Sequence, residues 1–165
     1  AYFNHTLGGG QIFDPNRPWG EQNPTALPAW TSEEESLQFQ PHAWSPDGRS
    51  IAGAVLTESG HHRPAIYDLQ SETYIDSSQA FSALISSGTE FPSWLPDSSG
   101  LIVVGRDRAS GTRGIFLTDR EFREVREILP SEDGTSPRVS PDGRWIYFIR
   151  DTFEADVWLL TFNER

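Results

Sequence analysis

Short apolar runs separated by turn-forming residues dominate the chain. Ile51–Val55, Leu101–Val104 and Trp145–Ile149 contain no charged residue and are rich in β-branched and aromatic side chains. Runs of this length, bounded by Gly, Pro, Asp and Ser, are typical of β-strands. They do not alternate between apolar and polar, which favours strands that are covered on both faces. The pattern therefore predicts an all-β chain.

One short phrase precedes each of these runs. It spans Trp44–Ile51, Trp94–Ile102 and Val139–Ile146, with prolines 50 and 45 residues apart. Proline sets φ for the first central position of a type I turn, aspartate tolerates the next, and glycine accepts the left-handed position that follows. A period of this size indicates one supersecondary unit copied along the chain. The residues of this structural repeat motif are Trp44, Pro46, Asp47, Gly48, Trp94, Pro96, Asp97, Pro141, Asp142 and Gly143.

Each unit contains up to four predicted strands. The first leads into the phrase, the second follows it, and polar loops separate the third and fourth. The third unit has a third strand at Val157–Leu160 and runs out of chain before a fourth. We therefore expect one domain with four parts: a partial N-terminal unit and Pro-rich loop at 1–37, units at 38–86 and 87–134, and a last unit at 135–165 that lacks its fourth strand.

Composition and charge narrow the possible partners. The chain has 165 residues and a net charge of −11, and its thirteen basic residues are all arginines. An acidic surface repels phosphate backbones and anionic lipids, so we expect neither nucleic acid nor a membrane as a partner. The chain contains no cysteine, which excludes disulfides and thiol chemistry. It also lacks methionine, so we expect a processed product or a piece of a longer protein.

The repeated phrase, followed by an Ile-Tyr-Asp-Leu strand at 66–69, resembles the TolB-like, WD-repeat-like β-propeller family. The resemblance covers roughly residues 38–165 and implies a β-propeller fragment of four-stranded antiparallel blades. Three blades are recognisable and a partial one precedes them. The ending Glu154–Thr161 looks like the last blade of some of these proteins, which implies the C-terminal blades of a larger propeller.

The resemblance implies a non-catalytic protein-interaction or sensor module, part of a larger bacterial protein. An alternative is an accessory, gating or regulatory propeller domain of a peptidase or of a eukaryotic-like serine/threonine kinase whose catalytic domain lies outside this chain. The family resemblance favours a periplasmic or extracytoplasmic location over a cytoplasmic one. A protein or peptide is the expected partner. Unpaired strand edges lead us to expect that further blades, or self-association with another copy, complete the propeller.

The chain offers no pattern for catalysis. Serines are abundant, but no Gly-x-Ser-x-Gly elbow is present, and His61 and His62 have no further ligands at zinc spacing. We expect no catalytic residue, no metal and no cofactor. Asp47, Asp97 and Asp142 recur once per unit, so we expect them to accept hydrogen bonds within their own turns rather than to bind calcium.

The tryptophans at one repeat position are expected to share one environment. Trp44 and Trp94 occupy equivalent places in the first two units. A recurring position is more consistent with core packing between blades than with a ligand platform. We therefore expect both side chains to be buried between neighbouring units.

Candidate partner-binding residues lie in the loops that precede the inner strands, at the channel mouth of a propeller. They are His42, Phe91 and Arg138, which differ from their repeat equivalents as binding residues can and packing residues should not. Loops on a rigid scaffold vary without disturbing the core, so recognition collects there. For Arg138 two alternatives are open: a pair with a nearby carboxylate, which we favour, or a guanidinium that points at the channel mouth.

Overall fold

The apolar runs form antiparallel sheets. The computed structural model describes residues 2–4, 9–31, 36–57, 60–82, 84–85, 91–130 and 134–150. In these ranges the only helix is a short 3-10 helix at Trp19–Glu21. The strands are β1 (Tyr2–Asn4), β2 (Gly9–Ile12), β3 (Thr25–Ala26), β4 (Trp30–Thr31), β5 (Ser36–Trp44), β6 (Ser50–Leu56), β7 (His61–Asp68), β8 (Thr73–Asp76), β9 (Phe81–Ser82), β10 (Leu84–Ile85), β11 (Ser93–Trp94), β12 (Gly100–Asp107), β13 (Arg113–Asp119), β14 (Val125–Pro130), β15 (Gly134–Val139) and β16 (Ile146–Arg150).

Four sheets follow one another along the chain, and we call them the N-terminal, first, second and third blades. The N-terminal blade has the order β1-β2-β3. In the first blade β5, β6, β7 and β8 form an antiparallel meander, with β4 beside β5 and β10 beside β7. The second blade has the order β11-β12-β13-β14, and β9 also pairs with β12. The third blade contains β15 and β16 among the described residues.

The core lies between stacked blades. Side chains of β12 alternate between two apolar clusters: Leu101 and Val103 face the first blade, while Ile102 and Val104 face the third. Both faces of the strand are buried, as its uninterrupted apolar sequence predicts. A third cluster, including Phe39 and Tyr67, lies between the first blade and Leu27 beside the N-terminal blade. The prediction of an all-β chain of stacked antiparallel sheets is confirmed.

The tight turns of the repeat phrase have the predicted conformation, with one difference. Gly48 and Gly143 both have a φ of 71°. Ser98 stands at the equivalent position and also has a positive φ, 60°, which is uncommon for a residue with a side chain. Its Oγ accepts a hydrogen bond from the backbone N–H of Asp47 in the first blade at 3.0 Å. The side chain of Ser98 therefore contributes a contact between blades that glycine cannot make.

The segment after β8 crosses between two blades. Phe81–Ser82 pairs with β12 of the second blade, whereas Leu84–Ile85 pairs with β7 of the first. Phe81 is fully buried, and a Cβ added at Gly105 would lie 2.6 Å from its ring. This crossing lies before the predicted 86/87 boundary, and the unit boundaries themselves stay a prediction.

Some predictions fall outside the described residues. The third strand expected at Val157–Leu160, which includes Trp158, is among them. Within the described ranges, no helix combines the length and hydropathy needed to cross a bilayer.

Candidate functional site

The inner strands of three blades deliver the candidate residues to one place. A bulge in β5 between Pro41 and Ala43 leaves His42 without a register partner, so its side chain leaves the regular ladder. β15 is irregular between Thr135 and Arg138. Phe91 stands just before β11 in the second blade. Each residue therefore occupies the inner edge of a different blade.

The three side chains are in contact. The rings of His42 and Phe91 meet edge to face, with centroids 4.6 Å apart. The guanidinium carbon of Arg138 lies 5.7 Å from the centroid of the Phe91 ring, within the range of a cation–π contact. Arg138 Nη1 donates to the carbonyl oxygens of Pro137 at 2.9 Å and Phe91 at 3.3 Å. Among the described residues Arg138 has no carboxylate partner, and the ion pair that we favoured stays a prediction.

These residues line an open cleft of about 520 Å³ along the inner strands. Its walls are mainly aromatic rings and prolines, with one arginine and no acidic side chain among the described lining residues. That composition contrasts with a chain of net charge −11. The lining residues are Pro41, His42, Ala43, Trp44, Pro46, Phe91, Pro92, Ser93, Trp94 and Arg138.

His42 is uncharged in the cleft at pH 7. Desolvation by the surrounding strands lowers its pKa from 6.5 to about 4, and repulsion by His62 and Arg138 acts in the same direction. His42 remains exposed at the cleft wall, which weakens the desolvation, but all three causes favour the neutral ring. A neutral imidazole offers one donor and one acceptor to a ligand.

The repeat aspartates bond within their turns. Ser45 Oγ and the N–H of Arg49 donate to Asp47 Oδ1, at 2.5 and 3.0 Å. Asp97 and Asp142 accept equivalent bonds from residues of their own turns. These hydrogen bonds lower the pKa of all three carboxyls. In the described part of the chain, no three His, Asp or Glu side chains are grouped so as to bind a metal ion.

The prediction of equivalent environments for Trp44 and Trp94 is wrong. Trp94 is 7% exposed, and its Nε1 donates to the carbonyl oxygen of Ala43 in the first blade at 3.1 Å. Trp44 is 42% exposed and forms part of the cleft wall. Trp44 pairs with Ile51, on the face toward the N-terminal blade, and the described strands of that blade do not bury it.

Sequence reasoning did not identify Arg120. Its Nη1 lies 2.9 Å from Asp47 Oδ2, its Nη2 bonds Ser50 Oγ, and its guanidinium lies over the Trp94 ring at 5.5 Å. It therefore links the turn between β13 and β14 to the first blade. Arg120 stands outside the repeated phrase, so the repeat pattern could not reveal it.

Comparison with known proteins shows the fold. No protein-family model matches the sequence. A protein assigned as TolB from Agrobacterium tumefaciens is similar in structure, with a TM-score of 0.53 and 20% identity over 81% of this chain and 43% of that one. A prolyl endopeptidase is also similar in structure, with a TM-score of 0.52 and 17% identity over 79% of this chain and 21% of that one. The β-propeller domain of the Trilobed protease from Pyrococcus furiosus gives 0.46 and 14% identity, over 72% and 35% of the two chains.

The chain thus has a TolB-like β-propeller fold, and its match covers less than half the length of the TolB protein and of the prolyl endopeptidase. The predictions of fold class and of TolB-like resemblance are confirmed. Similarity at this level of identity shows the fold alone.

Proposed function

We propose that the chain is a non-catalytic propeller module that binds a protein or peptide partner in the cleft on its inner strands. The observation that carries this proposal is the convergence of His42, Phe91 and Arg138, each from a different blade, into one contacting group. Stacked blades hold the three side chains on a rigid scaffold, which limits the ordering cost of binding.

The shape and chemistry of the cleft suit an extended peptide. Its volume of about 520 Å³ is within the range of ligand pockets, and it is open along the inner strands. Aromatic rings and prolines give large contact areas at low entropic cost. Arg138 and the neutral His42 supply polar groups that can orient a ligand.

A display selection tests this proposal. Random peptides are selected against the whole chain, and the enriched peptides are measured on the His42→Ala/Phe91→Ala double variant. We expect weaker binding by about tenfold or more, since aromatic anchors dominate such interfaces. Phe13→Ala removes an exposed ring outside the cleft and should leave affinity unchanged. Equal binding by the double variant, with its fold intact, contradicts the proposal.

A second candidate is the accessory domain of a peptidase. The structural likeness to a prolyl endopeptidase favours it, and this chain corresponds to only 21% of that protein. In this case the catalytic residues belong to another domain. The parent reading frame distinguishes the candidates, because an adjoining hydrolase domain supports the second and its absence contradicts it.

We also propose that further blades, or a second copy of the chain, complete the propeller. Trp44 supports this, because its repeat equivalent Trp94 is buried by the neighbouring blade whereas Trp44 is not. In the third blade, Trp145 and Tyr147 are 69% and 63% exposed. These apolar side chains stand where adjacent blades of a complete propeller would pack.

A further inference from the structure

Arg138 carries donors that none of the described residues accepts. Its Nη1 is held by the carbonyl oxygens of Phe91 and Pro137, which fixes the guanidinium against the Phe91 ring. Its Nε and Nη2 donate to none of the residues that the structure describes. These two groups form the edge of a guanidinium that binds a carboxylate through two parallel hydrogen bonds. The side chain is therefore oriented in advance for a carboxylate.

The charge of the cleft favours the same ligand. Arg138 is half-buried, and no described residue of the lining is acidic. A partly desolvated cation without an ion pair is costly, and a carboxylate from a ligand would offset that cost. The rest of the chain is strongly acidic, so it repels a ligand with many negative charges. One carboxylate beside apolar groups meets both conditions.

The position of Arg138 indicates where the carboxylate lies in the ligand. Arg138 comes from the third blade, at one end of the described lining. From there Phe91, His42 and Trp44 extend the wall across the second and first blades. A charge at one end followed by apolar contacts matches the last residues of a peptide chain.

We propose that the cleft binds the free C-terminus of a peptide. Nε and Nη2 of Arg138 take the terminal carboxylate, and the last apolar side chains pack on Phe91, His42 and Trp44. This proposal rests on the proposed function and adds the chemical class of the partner to it.

Peptides with free C-termini provide the test. A random decapeptide library displayed with free C-termini is selected against the whole chain, and enriched sequences are synthesised as free acids and as C-terminal amides. The free acid should bind about 10- to 100-fold more tightly, the usual range for a charge-assisted hydrogen bond. Arg138→Lys keeps the charge but loses the planar fork, so it should reduce the preference for the acid. Arg144→Ala removes an exposed arginine of the third blade outside the cleft and should change nothing.

The outcomes separate this inference from the proposed function. Equal affinity of acid and amide overturns the C-terminal assignment, and so does binding that depends on an internal Asp or Glu. Both leave a peptide-binding cleft in place. Peptides that bind the His42→Ala/Phe91→Ala variant as well as they bind the wild type overturn the proposed function itself. Melting temperatures of every variant confirm that the fold is retained.

Discussion

Ser98 adopts an unfavourable backbone conformation and gains a hydrogen bond between two blades. Glycine occupies this turn position in the other two repeats, where φ is also positive. Ser98 adopts φ 60° and accepts the Asp47 N–H from the neighbouring blade. Because the residue is 4% exposed, this hydrogen bond is shielded from water. The strain of the turn is therefore offset by a bond between blades.

Two substitutions at Ser98 separate these effects. Ser98→Ala keeps the strain and loses the hydrogen bond, so we expect a loss of about 1–2 kcal/mol in the free energy of unfolding. Ser98→Gly loses the bond but relieves the positive φ, so its loss should be smaller. Urea denaturation measures both variants. A Ser98→Gly variant less stable than Ser98→Ala would contradict this account.

The two repeat tryptophans offer a second comparison at this scale. Trp94→Ala removes a buried ring between blades and should cost about 3–5 kcal/mol. Trp44→Ala alters an exposed side chain and should cost about 1 kcal/mol or less. Trp94→Phe keeps an aromatic ring but loses the bond to Ala43 and part of the buried volume, so its loss should be smaller; it covers the case in which Trp94→Ala does not fold. Similar losses for the two alanine variants would show that Trp44 is also a core residue.

Between elements, the turn of the first blade is tied to the second blade by charge. Arg120 bonds Asp47 Oδ2 while its guanidinium covers Trp94. The pKa of Asp47 is lowered from 3.8 to about 2, chiefly by the Ser45 hydroxyl and the Arg49 N–H, with Arg120 adding to them. The carboxylate therefore joins two turns and must be ionised to do so.

This carboxylate makes stability depend on pH. Its pKa is depressed in the folded state, so its contribution is complete above the unfolded pKa near 3.8 and is lost as the pH falls toward about 2. We expect Asp47→Asn to lower the melting temperature at pH 6 and to flatten its decline between about pH 4 and 2. Asp142→Asn, which has no arginine partner from another blade among the described residues, should flatten it less. An unchanged acid decline in Asp47→Asn would contradict the assignment.

The repeat phrase predicted most strands because its turn is local chemistry. Proline, aspartate and glycine set the turn, and the strands on either side follow from it. The split inner edge of the second blade was not predicted, since β9 and β11 reach β12 from distant positions. Ser82 and Ser93 are eleven positions apart, whereas their pairing equivalents Gln38 and Ala43 are five apart. The second blade therefore has six more residues between these two positions than the first blade has. No local pattern in the sequence indicates that β9 and β11 pair with the same strand, β12.

At the scale of the whole molecule, repetition explains both the success and the failure at the site. The segments that lead into the repeated phrase lie side by side on successive blades, so His42, Phe91 and Arg138 could be expected to meet although they occupy different repeat positions. The same reasoning failed for Trp44 because the described strands of the N-terminal blade do not cover this side chain as the first blade covers Trp94. The hydrogen bonds of Arg138 to the carbonyl oxygens of Phe91 and Pro137 were not predicted either, because Pro137 lies in the irregular part of β15.

Association in solution is the corresponding prediction. If another copy helps to complete the propeller, sedimentation should show concentration-dependent association, and Trp44→Ala should weaken it without lowering the melting temperature. Trp19→Ala changes another exposed tryptophan, 60% exposed and outside the cleft, and should leave association unchanged. A monomer at all concentrations contradicts completion by a second copy.

The crossing of β9 and β10 inserts an aromatic side chain from the first repeat unit into the core of the second blade. Phe81 lies before the predicted 86/87 boundary, yet its ring packs with Phe116 and Phe122 of the second blade. Two fragments divided at that boundary would each be incomplete. The first would carry Phe81, and the second would contain the apolar cavity that its ring fills. The boundary of the sequence repeat is thus not a boundary between structurally independent units. Fragments divided at the 86/87 boundary should therefore complement each other by association, since Phe81 of one fragment packs on Phe116 and Phe122 of the other.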